Sequence, residues 1–61
     1  MKQFTVYEKH SEKGWQYTFI TGDERQALAE VEKLKKKKNI VDIYIDELDI
    51  DSGTTRGIRF N

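Results

Sequence analysis

The chain has 61 residues, of which 36% are hydrophobic and 36% are charged. Its 11 basic and 11 acidic residues cancel to a formal net charge of zero. This length is that of one small domain, so we assign residues 1–61 to a single domain and exclude a multidomain enzyme. The balanced charge excludes a strongly basic coat protein for nucleic acid.

The chain contains no cysteine, which excludes disulfides and thiolate metal sites and fits a reducing cytoplasm. No apolar run approaches the roughly 20 residues of a membrane-spanning helix. The first ten residues, MKQFTVYEKH, lack the apolar segment of a signal peptide. We therefore expect a cytoplasmic protein with no membrane contact.

Two segments of alternating hydrophobicity near the start of the chain predict a β-hairpin. Residues 3–9 and 15–20 alternate with period two, and the second segment is rich in aromatic residues. The hairpin's core face is expected to carry Phe4, Val6, Trp15, Tyr17 and Phe19. One register that satisfies this face sets Val6 opposite Trp15 and Glu8 opposite Lys13.

A helix over residues 22–38 is predicted by its start signal and its apolar stripe. Thr21 followed three residues later by Glu24 has the spacing of a capping box. The stripe at helical periodicity consists of Ala27, Leu28, Val31 and Leu34. Lysines crowd the end of this helix, where the dipole is negative, and Asn39 is a candidate for a left-handed cap.

The last third of the chain predicts two more strands joined by a turn. Residues 40–50 alternate, so Val41, Ile43 and Ile45 point to the core, and Asp42, Tyr44 and Asp46 point away from it. After Asp46 the apolar residues change phase, which indicates either a bulge near Asp46-Glu47 or the end of the strand. Residues 51–54 form the turn and 55–60 the last strand. We favour Ile45 over Tyr44 as the residue opposite Phe60.

The predicted fold is therefore α+β, with the order ββαββ and a four-stranded antiparallel sheet in the strand order 2-1-3-4. Placing the first strand between the second and third makes every neighbouring pair antiparallel, because the helix reverses the chain. One helix covers one face of the sheet. Since its stripe is narrow, we expect Trp15, Phe19 and Phe60 to supply most of the core volume.

The sequence offers no catalytic constellation, so we expect neither an enzyme nor a cofactor. His10, the one histidine, lies in a polar loop and is expected to be exposed and inert. The acidic segment before Gly53 fails the calcium-loop pattern, because Leu48 takes the first position and Arg59 the twelfth. We therefore assign no metal site.

The face of the sheet that the helix leaves open is the predicted working surface. Thr5, Tyr7, Thr18, Ile20 and Tyr44 are expected to point to it. Tyr7 and Tyr44 lie on neighbouring strands and can form an aromatic pair of the kind enriched in protein interfaces. The acidic residues of the third strand and its turn extend this predicted interface, whose members are Tyr7, Asp42, Tyr44, Asp46, Asp49 and Asp51.

These features predict a non-enzymatic protein-interaction module with a protein partner or a second copy of itself. Charge is separated along the chain, from +3 over residues 1–38 to −3 over residues 39–61. In size and style the chain is similar to small proteins encoded by phages and mobile elements, including inhibitors of larger host enzymes. The alternative is nucleic-acid binding by Lys33 and residues 35–38, which we consider less favoured because no aromatic residue interleaves them.

Overall fold

The computed structural model describes residues 1–60 and contains one helix and four strands. In chain order these are β1 (Lys2–His10), β2 (Gly14–Thr21), α1 (Glu24–Lys35), β3 (Ile40–Asp49) and β4 (Thr54–Arg59). The strands form one antiparallel sheet in the order β2-β1-β3-β4. The helix contacts β1, β2 and β3. The predicted α+β fold, element order and strand order are confirmed.

Helix α1 begins at Glu24, and its N-cap is Asp23 rather than the predicted Thr21. The Asp23 backbone is extended, and its carboxylate accepts from the backbone N–H of Arg25 at 2.9 Å. The Thr21 hydroxyl instead accepts from the N–H of Asp23 at 3.1 Å and donates to Gln26 at 2.7 Å. Both side chains stabilise the same turn, and the helix begins directly after the second of them.

The helix ends at Lys35, three residues before the predicted end. The N–H of Lys36 turns back to the carbonyls of Lys33 and Leu34, which closes the last turn. Within residues 1–60 no residue other than glycine has a positive φ, so Asn39 is not the left-handed cap we expected. The three residues after Lys36 are needed to bring the chain back to the sheet.

The core lies between α1 and the sheet and consists mainly of aliphatic side chains: Phe4, Val6, Ala27, Val31, Leu34, Ile43 and Ile45. Phe19 and Phe60 pack against it while staying partly exposed. Leu28 was predicted in this core but is 44% exposed, because it lies beside the line of contact that Ala27, Val31 and Leu34 make with the sheet.

Val41 was also predicted to face the core and is instead exposed. Lys9 pairs with Asp42 and His10 pairs with Ile40, so Val41 is an extra residue without a partner in β1. An irregularity of this kind breaks the alternation of side chains. For this reason the Val41 side chain does not point to the core, while Ile43 and Ile45 point to it as predicted.

A β-bulge in the first hairpin overturns the predicted register. Val6 pairs with Phe19, but the next residue, Tyr7, pairs with Tyr17, so Thr18 is the extra residue. Val6 therefore does not face Trp15, and Glu8 faces Gln16 rather than Lys13. The Thr18 hydroxyl, expected on the open face, donates to the half-buried Glu8 carboxylate at 2.6 Å.

The bulge also moves two aromatic side chains from the predicted core to the opposite side. Because one extra residue reverses the alternation, Trp15 and Tyr17 share the face of Tyr7, while Phe19 stays with Val6. Trp15 is 43% exposed and Tyr17 is 60% exposed. The prediction that Trp15 supplies core volume is wrong.

Strand β3 runs without interruption from Asp42 to Asp49, so both predicted explanations of its phase change are wrong. Glu47 is the residue that breaks the apolar pattern, and it lies buried on the helix side of the sheet. Its carboxylate is 3.2 Å from the Lys2 ammonium and 3.4 Å from the Arg56 guanidinium. Two cations thus stabilise a carboxylate at a position where the alternation would require an apolar residue.

The last hairpin pairs Ile45 with Ile58 and Tyr44 with Arg59, so neither predicted register is found. The loop has four residues, but it starts at residue 50 rather than 51. The Asp49 carboxylate accepts from the N–H of Asp51 at 3.1 Å. Gly53, with a φ of 74°, donates its N–H to the Asp49 carbonyl at 2.7 Å. Ile58 therefore faces the core, as Ile45 does.

Candidate functional site

The face of the sheet opposite α1 carries the largest side chains of the protein. Tyr7 and Tyr44 are cross-strand partners at its centre, with ring centroids 6.2 Å apart. Both point away from the helix, as predicted. We call this surface the open face.

Two further rings, which sequence reasoning had placed in the core, join this pair. The Tyr17 ring contacts Tyr7 edge-on at 6.5 Å, and the Trp15 ring contacts Tyr44 edge-on at 6.2 Å. Edge-to-face geometry is favoured between aromatic rings. We call Tyr7, Trp15, Tyr17 and Tyr44 the aromatic cluster. No sequence signal located the bulge that assembles it.

Two cationic side chains lie against the exposed indole of this cluster. The Lys9 ammonium is 5.9 Å from the Trp15 ring centroid, and the Arg59 guanidinium is 5.8 Å from it. Arg59 also donates to the Asp42 carboxylate at 2.8 Å. Sequence reasoning did not select Lys9, Trp15 or Arg59 for the site.

A shallow hollow of about 420 Å³ opens between the rings and Arg59. It is lined by Tyr7, Trp15, Tyr44 and Arg59. Gly57, on the edge strand, makes room for one of these rings, because a β-carbon at this position would overlap the Tyr44 hydroxyl. The hollow therefore depends on the absence of a side chain at one position of β4.

The four acidic residues of the predicted interface lie in different environments. Asp42 is only 8% exposed; its carboxylate accepts from Arg59 and from the N–H of Ile43. Asp46 lies half-buried on the open face, opposite Thr5. Asp49 is the last residue of β3 and Asp51 lies in the turn that follows, at one end of the sheet. The structure brings Asp42 and Asp46 together with Tyr7 and Tyr44, but not the two turn aspartates.

His10 is a member of a small polar cluster rather than an exposed loop residue. It belongs to β1, its side chain is 22% exposed, and its Nε2 lies 3.3 Å from the Glu8 carboxylate. Its Nδ1 lies 3.3 Å from the Asn39 side-chain amide. These contacts connect the first hairpin to the segment between α1 and β3.

Three other observations bear on the class of site. Among residues 1–60 no three histidine or carboxylate side chains cluster in a way that could hold a metal ion. Helix α1, the one helix in that range, is not long and apolar enough to cross a membrane. Lys36, Lys37 and Lys38 are all exposed after the end of α1.

Comparisons of the chain with protein-family models, curated proteins and solved structures found no match.

Proposed function

We propose that this protein is a non-enzymatic protein-interaction module whose working surface is the open face. The observation that carries the proposal is the aromatic cluster, in which four rings lie together on a face that α1 does not cover. At least two of these rings keep large exposed fractions. A contiguous exposed apolar patch on a small protein is typical of a binding surface.

The composition of the open face favours a protein as the ligand. Tyrosine, tryptophan and arginine are the residues most enriched among those that dominate binding energy in protein interfaces. Around the cluster, Lys9 and Arg59 are balanced by Asp42 and Asp46, so the face has no net charge. A surface for nucleic acid instead needs an excess of cations to neutralise phosphates.

The small size and neutral charge of the chain support a narrower role. A 61-residue domain with one interaction face suits an inhibitor or regulator that occupies a surface of a larger protein, of the kind that phages and mobile elements encode. The absence of cysteine supports a cytoplasmic location for this role.

The alternative function is nucleic-acid binding through the exposed lysines after α1. The exposure of Lys36, Lys37 and Lys38 supports it, because solvated lysines can replace the counterions of phosphates. The rings that could stack on bases lie on the open face, where Asp42 and Asp46 flank Tyr44. The two features are thus on different surfaces and can be tested separately.

The test compares binding by two matched double variants. Tagged wild-type protein, Tyr7→Ser/Tyr44→Ser and Lys36→Ala/Lys37→Ala are each incubated with lysate of the source organism, and captured protein and nucleic acid are quantified. We expect the lysine variant to capture the same protein as the wild type, and the tyrosine variant to lose it. Truncating one interface aromatic can cost about 2 kcal/mol or more in binding.

Thermal melting of each variant separates loss of binding from loss of fold. Should the tyrosine variant unfold, Tyr17→Ser tests the same face at a more exposed ring. Protein capture that survives both open-face variants contradicts the proposal. If the wild type captures nucleic acid in a salt-sensitive way and only the lysine variant loses this capture, nucleic-acid binding becomes the favoured function.

A further inference from the structure

The open face is complementary to the open face of a second copy when the two faces are stacked and related by a two-fold axis. This axis runs parallel to the strands and lies between β1 and β3. This rotation places each residue of β1 over the position of its own cross-strand partner in the second copy. The residues of β1 on this face pair within the chain as Lys9 with Asp42, Tyr7 with Tyr44, Thr5 with Asp46, and Gln3 with Leu48. The same pairs therefore meet between the two copies.

Each of these pairs is favourable or neutral. Tyr7 meets the ring of Tyr44, and Thr5 can donate its hydroxyl to Asp46. Lys9 lies over the Asp42 carboxylate, which is only 8% exposed and already accepts from Arg59 of its own chain. The edge strands add another pair, since Tyr17 and Arg59 lie in the same row as Tyr7 and Tyr44. Rotation brings Arg59 of one copy over Tyr17 of the other, which allows a cation–π contact.

The perpendicular arrangement lacks this complementarity. A two-fold axis across the strands, through the row of Tyr7 and Tyr44, would set Asp42 of one copy over Asp46 of the other. It would also leave Lys9 facing the uncharged Thr5. Charge thus distinguishes the two axes. Either axis keeps the strands of the two sheets aligned, which is a common geometry for two packed sheets.

The size of the face fits a dissociable dimer. The protein measures 36 × 19 × 15 Å, so its broadest side covers about 680 Å². A standard interface buries about 600–1,000 Å² on each partner. One face of this domain can therefore supply a dimer interface at the lower end of that range, which a larger protein partner could displace.

We infer that a second copy of this chain covers the open face, related by a two-fold axis along the strands between β1 and β3. This inference rests on the proposed function, because it names the partner of the same surface. It also makes capture of a larger protein dependent on concentration, since self-association and capture compete for the aromatic cluster.

The test uses sedimentation of the wild type and two charge variants from about 1 μM to about 1 mM, the range of weak association. Thr5→Glu sets a carboxylate over Asp46 of the second copy at two symmetric contacts, and we expect at least about tenfold weaker dimerisation. Asp46→Lys removes that repulsion, so an equimolar mixture of the two variants should form a mixed dimer. Ser11→Glu is the matched control, because it adds the same charge on an exposed turn.

Thr5→Lys is a second variant that should strengthen dimerisation, and melting curves verify that each variant folds. A wild type that stays monomeric to about 1 mM overturns the inference, as does a mixture of Thr5→Glu and Asp46→Lys that fails to associate. A monomer that still captures another protein through Tyr7 and Tyr44 leaves the proposed function standing. A dimer that is insensitive to every open-face variant, with no tyrosine-dependent capture, overturns both.

Discussion

The two faces of the sheet are built by the same strands but from different side chains. The face under α1 buries mainly aliphatic residues together with Phe4, and Ala27, Val31 and Leu34 bring the helix close to the strands. The open face holds the indole and all three tyrosine rings of the chain. The indole and the tyrosine rings are thus placed where they can contact a partner, while aliphatic side chains and the phenylalanines hold the fold together.

Each face also contains one nearly buried carboxylate of β3 that is neutralised by an arginine of β4. Glu47 pairs with Arg56 on the helix side, and Asp42 pairs with Arg59 on the open side. Strand β4 is therefore held by the ladder to β3 and by an ion pair on each face. Arg59 has a second role, because it also lines the aromatic hollow.

The largest expected loss of stability comes from a substitution on the face under α1. Leu34→Ala removes a fully buried side chain and should lower the free energy of unfolding by about 3 kcal/mol. That is a large part of the stability of so small a domain, so a population of unfolded protein is expected without denaturant. Urea unfolding measures the change. Leu28→Ala, on the same helix but largely exposed, is the matched control and should cost much less.

A smaller loss is expected for the largest ring on the open face. Trp15→Ala should cost about 1–2 kcal/mol, below the 3–5 kcal/mol typical of a core aromatic, because the indole is only partly buried. Urea unfolding gives the value, and accessibility of the wild-type indole to a neutral fluorescence quencher provides an independent check. A loss as large as that of Leu34→Ala would show that the open face contributes a second core.

The helix that covers one of the two faces depends on its N-cap. Asp23→Ala should cost about 1 kcal/mol, because the N–H of Arg25 loses its acceptor. Thr21→Ala removes a hydroxyl two residues before the cap, which accepts from the N–H of Asp23, and should cost less. Thermal melting of both variants shows which residue contributes more to the stability of the helix start. A greater loss for Thr21→Ala would restore Thr21 as the cap.

The smallest change in stability, with a large change at the surface, is expected for Gly57→Ala. The new methyl group displaces the Tyr44 ring, which can turn into solvent, while the alanine reduces the entropy of the unfolded chain by about 0.4–1 kcal/mol. The lost ring contacts oppose this gain, so the net change in the free energy of unfolding should be smaller than that of Asp23→Ala. Tryptophan emission should change, because Tyr44 leaves Trp15. Gly22→Ala, whose methyl group meets only one carbonyl at ordinary contact distance, should leave emission unchanged.

The order and direction of the elements could be predicted from the sequence, because they depend on local patterns. Alternation over residues 3–9 and the helical spacing of Ala27, Val31 and Leu34 each require only neighbouring residues. The outward direction of Tyr7 and Tyr44 follows from the same alternation.

Registers and bulges were decided by the tertiary structure. Thr18 is extruded at the bulge where β2 pairs with β1, and this single extra residue moves Trp15 and Tyr17 to the open face. Glu47 interrupts the apolar pattern of β3 without ending the strand, because Lys2 and Arg56 reach its carboxylate from neighbouring strands. The composition of the aromatic cluster depends on such contacts between distant segments, and alternation along one strand cannot specify them.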